Sequence, residues 1–196
     1  MSGDVEMPAL LLAIRNSDGG WGYHGDPSWT EPTAYALLAL AHIQGMPAPR
    51  EAINWLRAAR RKDGGWGPCT LVEESTWVTA LAALALAAAG ELPRTDPAIG
   101  WLVNTRGAES TILFRIRRFL HGIRSEYDEE PEGWPFFPGA AAWVAPTALT
   151  LLAMQRVLRL HPGLEISDRI EQGRRFLLSR ICSDGGWNHG SSRSLG

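Results

Sequence analysis

The sequence predicts an all-α protein, an array of helical hairpins in which apolar helices alternate with amphipathic ones. Three observations carry that expectation. A loop of glycine and tryptophan recurs, as SDGGWGYHG from Ser17, KDGGWGPCT from Lys62, EGWPFFPGA from Glu132 and SDGGWNHG from Ser183. Each of the first three leads into a threonine that opens an Ala/Leu-rich stretch. Setting Thr33, Thr76 and Thr147 in one column also aligns Ala39, Ala82 and Ala153 without a gap, and puts Leu38, Leu81 and Leu152 at one level. Between these stretches lie segments with an apolar stripe flanked by arginines. Such self-similarity marks a repeat architecture, in which each unit buries its apolar face against the next.

The elements follow in order. Residues from about Met7 to Asn16 form a helix, with Pro8 in its first turn and Leu11, Leu12 and Ile14 on the apolar side. An apolar helix runs from about Pro32 to Gln44 and stops at Gly45. The segment from Ala48 to Lys62 has Ile53 and Leu56 on one side and Arg50, Glu51, Arg57, Arg60 and Arg61 free to reach water, so it belongs on an outer layer. A second apolar helix spans about Glu74 to Ala89. Asp96 to Thr105 is again amphipathic. Ser110 to Arg124 reads as an additional basic helix, and Glu126 to Glu132 as an acidic surface loop beside it. A third apolar helix covers about Trp143 to Leu160, and an amphipathic one covers Ser167 to Ile181, with Ser167 or Asp168 as its N-cap. The pairs Trp55-Leu56, Trp101-Leu102 and Phe176-Leu177 recur in the amphipathic helices.

With 196 residues, the chain fits one domain, residues 1–196. A formal charge of -2 gives no electrostatic reason to expect nucleic acid or an anionic membrane surface as partner. Two cysteines fit a reducing compartment rather than a disulfide framework. The N-terminus carries acids where a secretory leader carries basic residues, so a cytoplasmic location is expected. The longest apolar run, Trp77 to Ala89, falls short of the roughly 20 residues that span a membrane, and reads as a helix buried on nearly all sides.

The GGWG and GGWN loops, the aromatic-Leu pairs before them and the Thr-Ala-x-x-Leu-Leu-Ala-Leu helix after them resemble the QW repeats of squalene-hopene and oxidosqualene cyclases. They also resemble the repeats of protein prenyltransferase β subunits. The resemblance implies an α/α toroid with apolar helices inside and amphipathic ones outside. About four of the usual six or so hairpins are present, an incomplete ring whose apolar edge a partner chain, self-association or a missing C-terminal stretch would cover. It also implies a hydrophobic, isoprenoid-like ligand in an aromatic-lined concavity, and acid-initiated cyclisation or isomerisation as the chemistry. The alternative is a non-catalytic scaffold for protein partners.

Departures from the family are equally specific. The Asp-rich motif that stands before Thr-Ala in protonation-driven cyclases is absent. Glu31, before Thr33, and Glu74, before Thr76, are the carboxylates that stand in its place. The alternative role for each is a favourable negative charge at a helix start. No Asp-x-Cys pair like that of the prenyltransferase zinc site occurs, and His24, His42, His121, His161 and His189 are scattered, so no metal and no cofactor are expected. The loop tryptophans Trp21, Trp66, Trp134 and Trp187 have the structural task of locking one hairpin to the next. Trp29, Tyr35, Trp77 and Trp143, near the inner-helix starts, are the candidates for lining a ligand site and stabilising a carbocation through their π faces.

Overall fold

A computed structural model describes residues 6–43, 45–110 and 131–188. Seven α-helices stand in the described residues: α1 (Glu6–Ala13), α2 (Thr30–Ala41), α3 (Arg50–Ala59), α4 (Val78–Ala88), α5 (Pro97–Asn104), α6 (Val144–Leu160) and α7 (Ser167–Ser179). A 3₁₀ turn at Ala108–Ser110 and a two-residue antiparallel ladder, β1 (Trp134–Pro135) with β2 (Ala142–Trp143), complete the regular structure. The fold is all-α, as the alternation of helix types requires.

Helix α4 packs between α2 and α6, while α3 lies against α2, α5 against α4 and α7 against α6. Composition decides which layer each helix joins. Nine of the eleven residues of α4 are Ala or Leu, and Ala80, Ala82, Ala83, Ala85 and Ala87 are buried. Their small side chains let neighbouring helices approach on more than one side. Helix α3 buries only Ala52, Ile53, Trp55 and Leu56 and turns its other residues to water.

Trp21, Trp66 and Trp134 each join three segments, and Trp187 keeps the first of their bonds. The indole N–H of Trp21 donates to the Leu11 carbonyl at 2.8 Å, that of Trp66 to Leu56 at 2.7 Å, that of Trp134 to Leu102 at 2.7 Å and that of Trp187 to Leu177 at 2.8 Å. In the last three, the acceptor is the leucine of an aromatic-Leu pair. The backbone N–H groups of Trp21, Trp66 and Trp134 donate to the hydroxyls of Thr33, Thr79 and Thr147, each at 2.9 Å. All three threonines are fully buried, so these bonds satisfy donors that water cannot reach.

This network corrects the sequence register. Thr79, not Thr76, is the counterpart of Thr33 and Thr147, because the second loop reaches its threonine in 13 residues and the first in 12. The Thr76 N–H is taken by the Trp66 carbonyl and the Trp77 N–H by the Phe136 carbonyl, so these residues belong to the connection. Helix α4 consequently begins at Val78, later than the expected Glu74. Leu84 takes the level assigned to Leu81. Leu38 and Leu84 are partly buried against the core, Leu81 is fully buried, and Leu152 is 52% exposed, so the expected grouping of Leu38, Leu81 and Leu152 gives way to this one.

Two further details differ from expectation. Helix α7 has Ile166 at its N-cap without a side-chain cap, so neither Ser167 nor Asp168 serves. Asp96 does cap α5, accepting from the Ala98 N–H at 3.0 Å. The connection from Leu102 to Trp134 spans 32 residues where the other three span 10. Its residues 111–130 lie outside the described residues, and with them most of the expected helix from Ser110 to Arg124 and most of the acidic loop. Arg169, almost fully buried, joins the two ends of this connection, donating to the carbonyls of Thr105 at 3.0 Å, Glu132 at 2.8 Å and Gly133 at 3.1 Å with its guanidinium 3.5 Å over the Trp134 ring. Burial draws its pKa down to about 10, which leaves it charged at neutral pH.

Candidate functional site at the inner-helix starts

The starts of α2 and α4 are each tied to the loop that follows. The Thr30 N–H donates to the Pro68 carbonyl and its hydroxyl to Gly67, as the Trp77 N–H does to Phe136. The same end of the inner layer therefore gathers two aromatic groups.

The first surrounds Glu31. Trp29 stands at the N-cap of α2 in extended backbone, with its N–H on the Trp21 carbonyl at 2.9 Å. Glu31 lies in the first turn and Tyr35 one turn further along. Tyr23 comes back to them through a tight turn in which His24 and Gly25 both have positive φ (49° and 84°) and the Asp26 N–H reaches the Tyr23 carbonyl at 2.8 Å. Its hydroxyl donates to Glu31 Oε2 at 2.6 Å, and its ring meets Trp29 edge-on at 5.8 Å. Burial, then the bond to Glu31 and the charges of Glu31 and Tyr35, push the Tyr23 phenol up to about 12. The phenol is the donor throughout the physiological range. Partial burial and the Glu31 charge also raise the pKa of Tyr35.

The second group is Trp77, Phe136 and Trp143. Phe136 packs edge-on to Trp77 at 5.8 Å and tilted against Trp143 at 5.7 Å. Trp143 is in β2, paired with Trp134 of the loop.

Of the candidates, Trp29, Glu31 and Tyr35 come together, and Trp77 and Trp143 join through Phe136. Glu74 stands exposed in the connection before α4 and is not brought into either group. Under the Thr79 register it is no counterpart of Glu31. Tyr23 and Phe136 are the residues that periodicity misses, because each reaches its partners by a loop reversal. The adjacent His24-Gly25 pair, a turn-prone dipeptide directly after Tyr23, is the trace that Tyr23 leaves in the sequence.

Among the described residues, no set of three or more His, Cys, Asp or Glu is gathered where it could hold a metal ion, and no helix is long and apolar enough to cross a membrane. An apolar groove of about 260 Å³ runs between α1 and α2, lined by Met7, Leu10, Ile14, Ala39 and Ile43 among others.

No family model matches the chain. Part of it is similar to two curated proteins. It is 47% identical over 58 residues to drimenyl diphosphate synthase of Streptantibioticus cattleyicolor, covering 29% of this chain and 11% of that protein. It is 35% identical over 79 residues to (+)-kolavenyl diphosphate synthase of Herpetosiphon aurantiacus, covering 39% of this chain and 15% of that protein. The chain thus matches a small part of the length of these relatives, and over that part it is similar to terpene cyclase-like diphosphate synthases.

Proposed function

We propose that the chain is a terpenoid-cyclase-related helical array, a single domain whose α2, α4 and α6 form the inner wall of an incomplete α/α toroid. It binds an isoprenoid or similar hydrophobic chain against the aromatic groups at the inner-helix starts. The observation that carries this reading is the grouping of a carboxyl with Tyr23, Trp29 and Tyr35 at the start of α2, beside a second aromatic group, in a chain similar in part to two diphosphate synthases.

Glu31 is the proton donor in this reading. Its carboxyl proton adds to one carbon of a substrate alkene, the π pair forms the new C–H bond, and the other alkene carbon becomes cationic while Glu31 is left as carboxylate. A second alkene of the chain attacks that cation to close a ring, and loss of a proton from carbon ends the sequence. The indole and phenol faces stabilise the passing positive charge. Water must be kept away from both acid and cation, so the working state needs the apolar edges covered, by self-association, by a protein partner or by a missing C-terminal stretch. A cytoplasmic location belongs to the same proposal. A second reading, a non-catalytic scaffold, draws support from the exposed position of the Tyr23–Glu31 bond.

Incubation of the purified protein with squalene and with polyprenyl diphosphates, followed by extraction and mass spectrometry, tests the first reading. Cyclised or isomerised product that Glu31→Gln abolishes is the expected result. Ligand binding without product from the unaltered protein would leave the scaffold reading.

A further inference from the structure

We propose that Tyr23 is a positioning residue for Glu31, selecting Oε1 as the oxygen that carries and delivers the proton. The inference rests on Glu31 being the acid. Its own basis is geometric. A carboxyl that swings about its χ3 axis presents either oxygen to a substrate, and an acid works only if its proton points along the line of transfer. The 2.6 Å bond from Tyr23 occupies Oε2. The phenol cannot reverse this assignment by losing its own proton near neutrality, since burial and Glu31 hold it ionisable only near 12.

Tyr23 is itself held from two sides. The His24–Gly25 reversal fixes its backbone, and the edge of its ring lies on Trp29, which the Trp21 carbonyl anchors at the head of α2. The position of the hydroxyl is thus referred to the same helix start that carries Glu31. Glycine at 25 matters here, because φ of +84° strains any residue with a side chain. Tyr35 shares the field of Glu31 without occupying an oxygen, since only the charge of Glu31 reaches it. Neither α4 nor α6 has a counterpart of this pair: Trp77 and Ala145 stand two residues before Thr79 and Thr147, where α2 has Glu31 before Thr33.

Two measurements test the role. Phenol ionisation, followed by ultraviolet difference spectroscopy, should show a tyrosine titrating near 12 whose transition moves to lower pH in Glu31→Gln; an unchanged high-pH transition in that variant would overturn the contact on which the proposal stands. In product assays, Tyr23→Phe should lower kcat about tenfold with KM within twofold. A Tyr23→Phe enzyme at the unaltered rate, with Glu31→Gln inactive, would refute the positioning role and keep Glu31 as the acid. Full activity in Glu31→Gln would remove the acid assignment, and the role of Tyr23 with it.

Discussion

The loops at Trp66 and Trp187 share a first set of bonds and differ in everything beyond it. Both indoles donate to a leucine carbonyl ten residues back, and both loops have an aspartate, Asp63 or Asp184, accepting from the second glycine N–H at 3.0 Å. Yet Trp66 is fully buried and Trp187 is 51% exposed. At Trp66, Ser75 of the connection and Thr79 of the helix that follows bond to the loop, and Pro97 of the next hairpin presses on Gly64 so closely that a Cβ there would meet its carbonyl at 2.7 Å. Among the described residues nothing stands within 4 Å of the same position at Gly185. The loop is therefore a local structure that forms from its own residues. Its burial, and the stability that burial confers, come from the next hairpin.

That contrast orders the expected effects. Trp66→Ala should cost about 3–5 kcal/mol in urea unfolding, the usual range for removing a buried tryptophan, whereas Trp187→Ala should stay within about 0.5 kcal/mol. Equal losses at the two sites would mean that Trp187 is covered in solution. Thr79→Val comes next. It keeps the shape and removes the acceptor for the Trp66 N–H, for an expected loss of about 1–3 kcal/mol.

A smaller effect concerns acid. Burial opposes the charge of Asp18, and bonds from the Ser28 hydroxyl, the Gly20 N–H and the Trp55 indole outweigh it, holding its pKa below the ordinary 3.8. A pKa lowered by folding stabilises the protein above the unfolded value and ceases to do so as pH falls through the folded one. Melting temperature should therefore drop below about pH 4, and Asp18→Asn should flatten that acid slope; an unchanged slope would show that the Trp55–Asp18 bond does not hold the first hairpin to the second.

How much of this was readable in the sequence differs by level. Helix type and layer were legible, since an Ala/Leu run such as α4 can only be buried and an arginine-edged stripe such as α3 can only lie at a surface. The loop tryptophans were legible as structural because each follows glycine in a loop that recurs along the chain. The register was not. Thr76 and Thr79 are both followed by apolar runs, and only the hydrogen bond from the Trp66 N–H distinguishes them. The site was half legible for a related reason. Trp29, Glu31 and Tyr35 follow from helix spacing, but Tyr23 and Phe136 arrive through loop reversals that helix spacing does not encode, with the His24-Gly25 turn the one mark Tyr23 leaves.

The central claim is that a buried threonine hydroxyl, caught by the loop tryptophan, fixes where each inner helix begins and so where the aromatic side chains stand. Thr76 and Thr79 offer a matched pair: Thr76 is buried with its hydroxyl unpartnered among the described residues, and Thr79 carries the bond to Trp66. Unfolding free energies of Thr76→Val and Thr79→Val, measured side by side, test it most directly. The account predicts a change near zero or a gain for the first and a loss of about 1–3 kcal/mol for the second; the reverse order would contradict it.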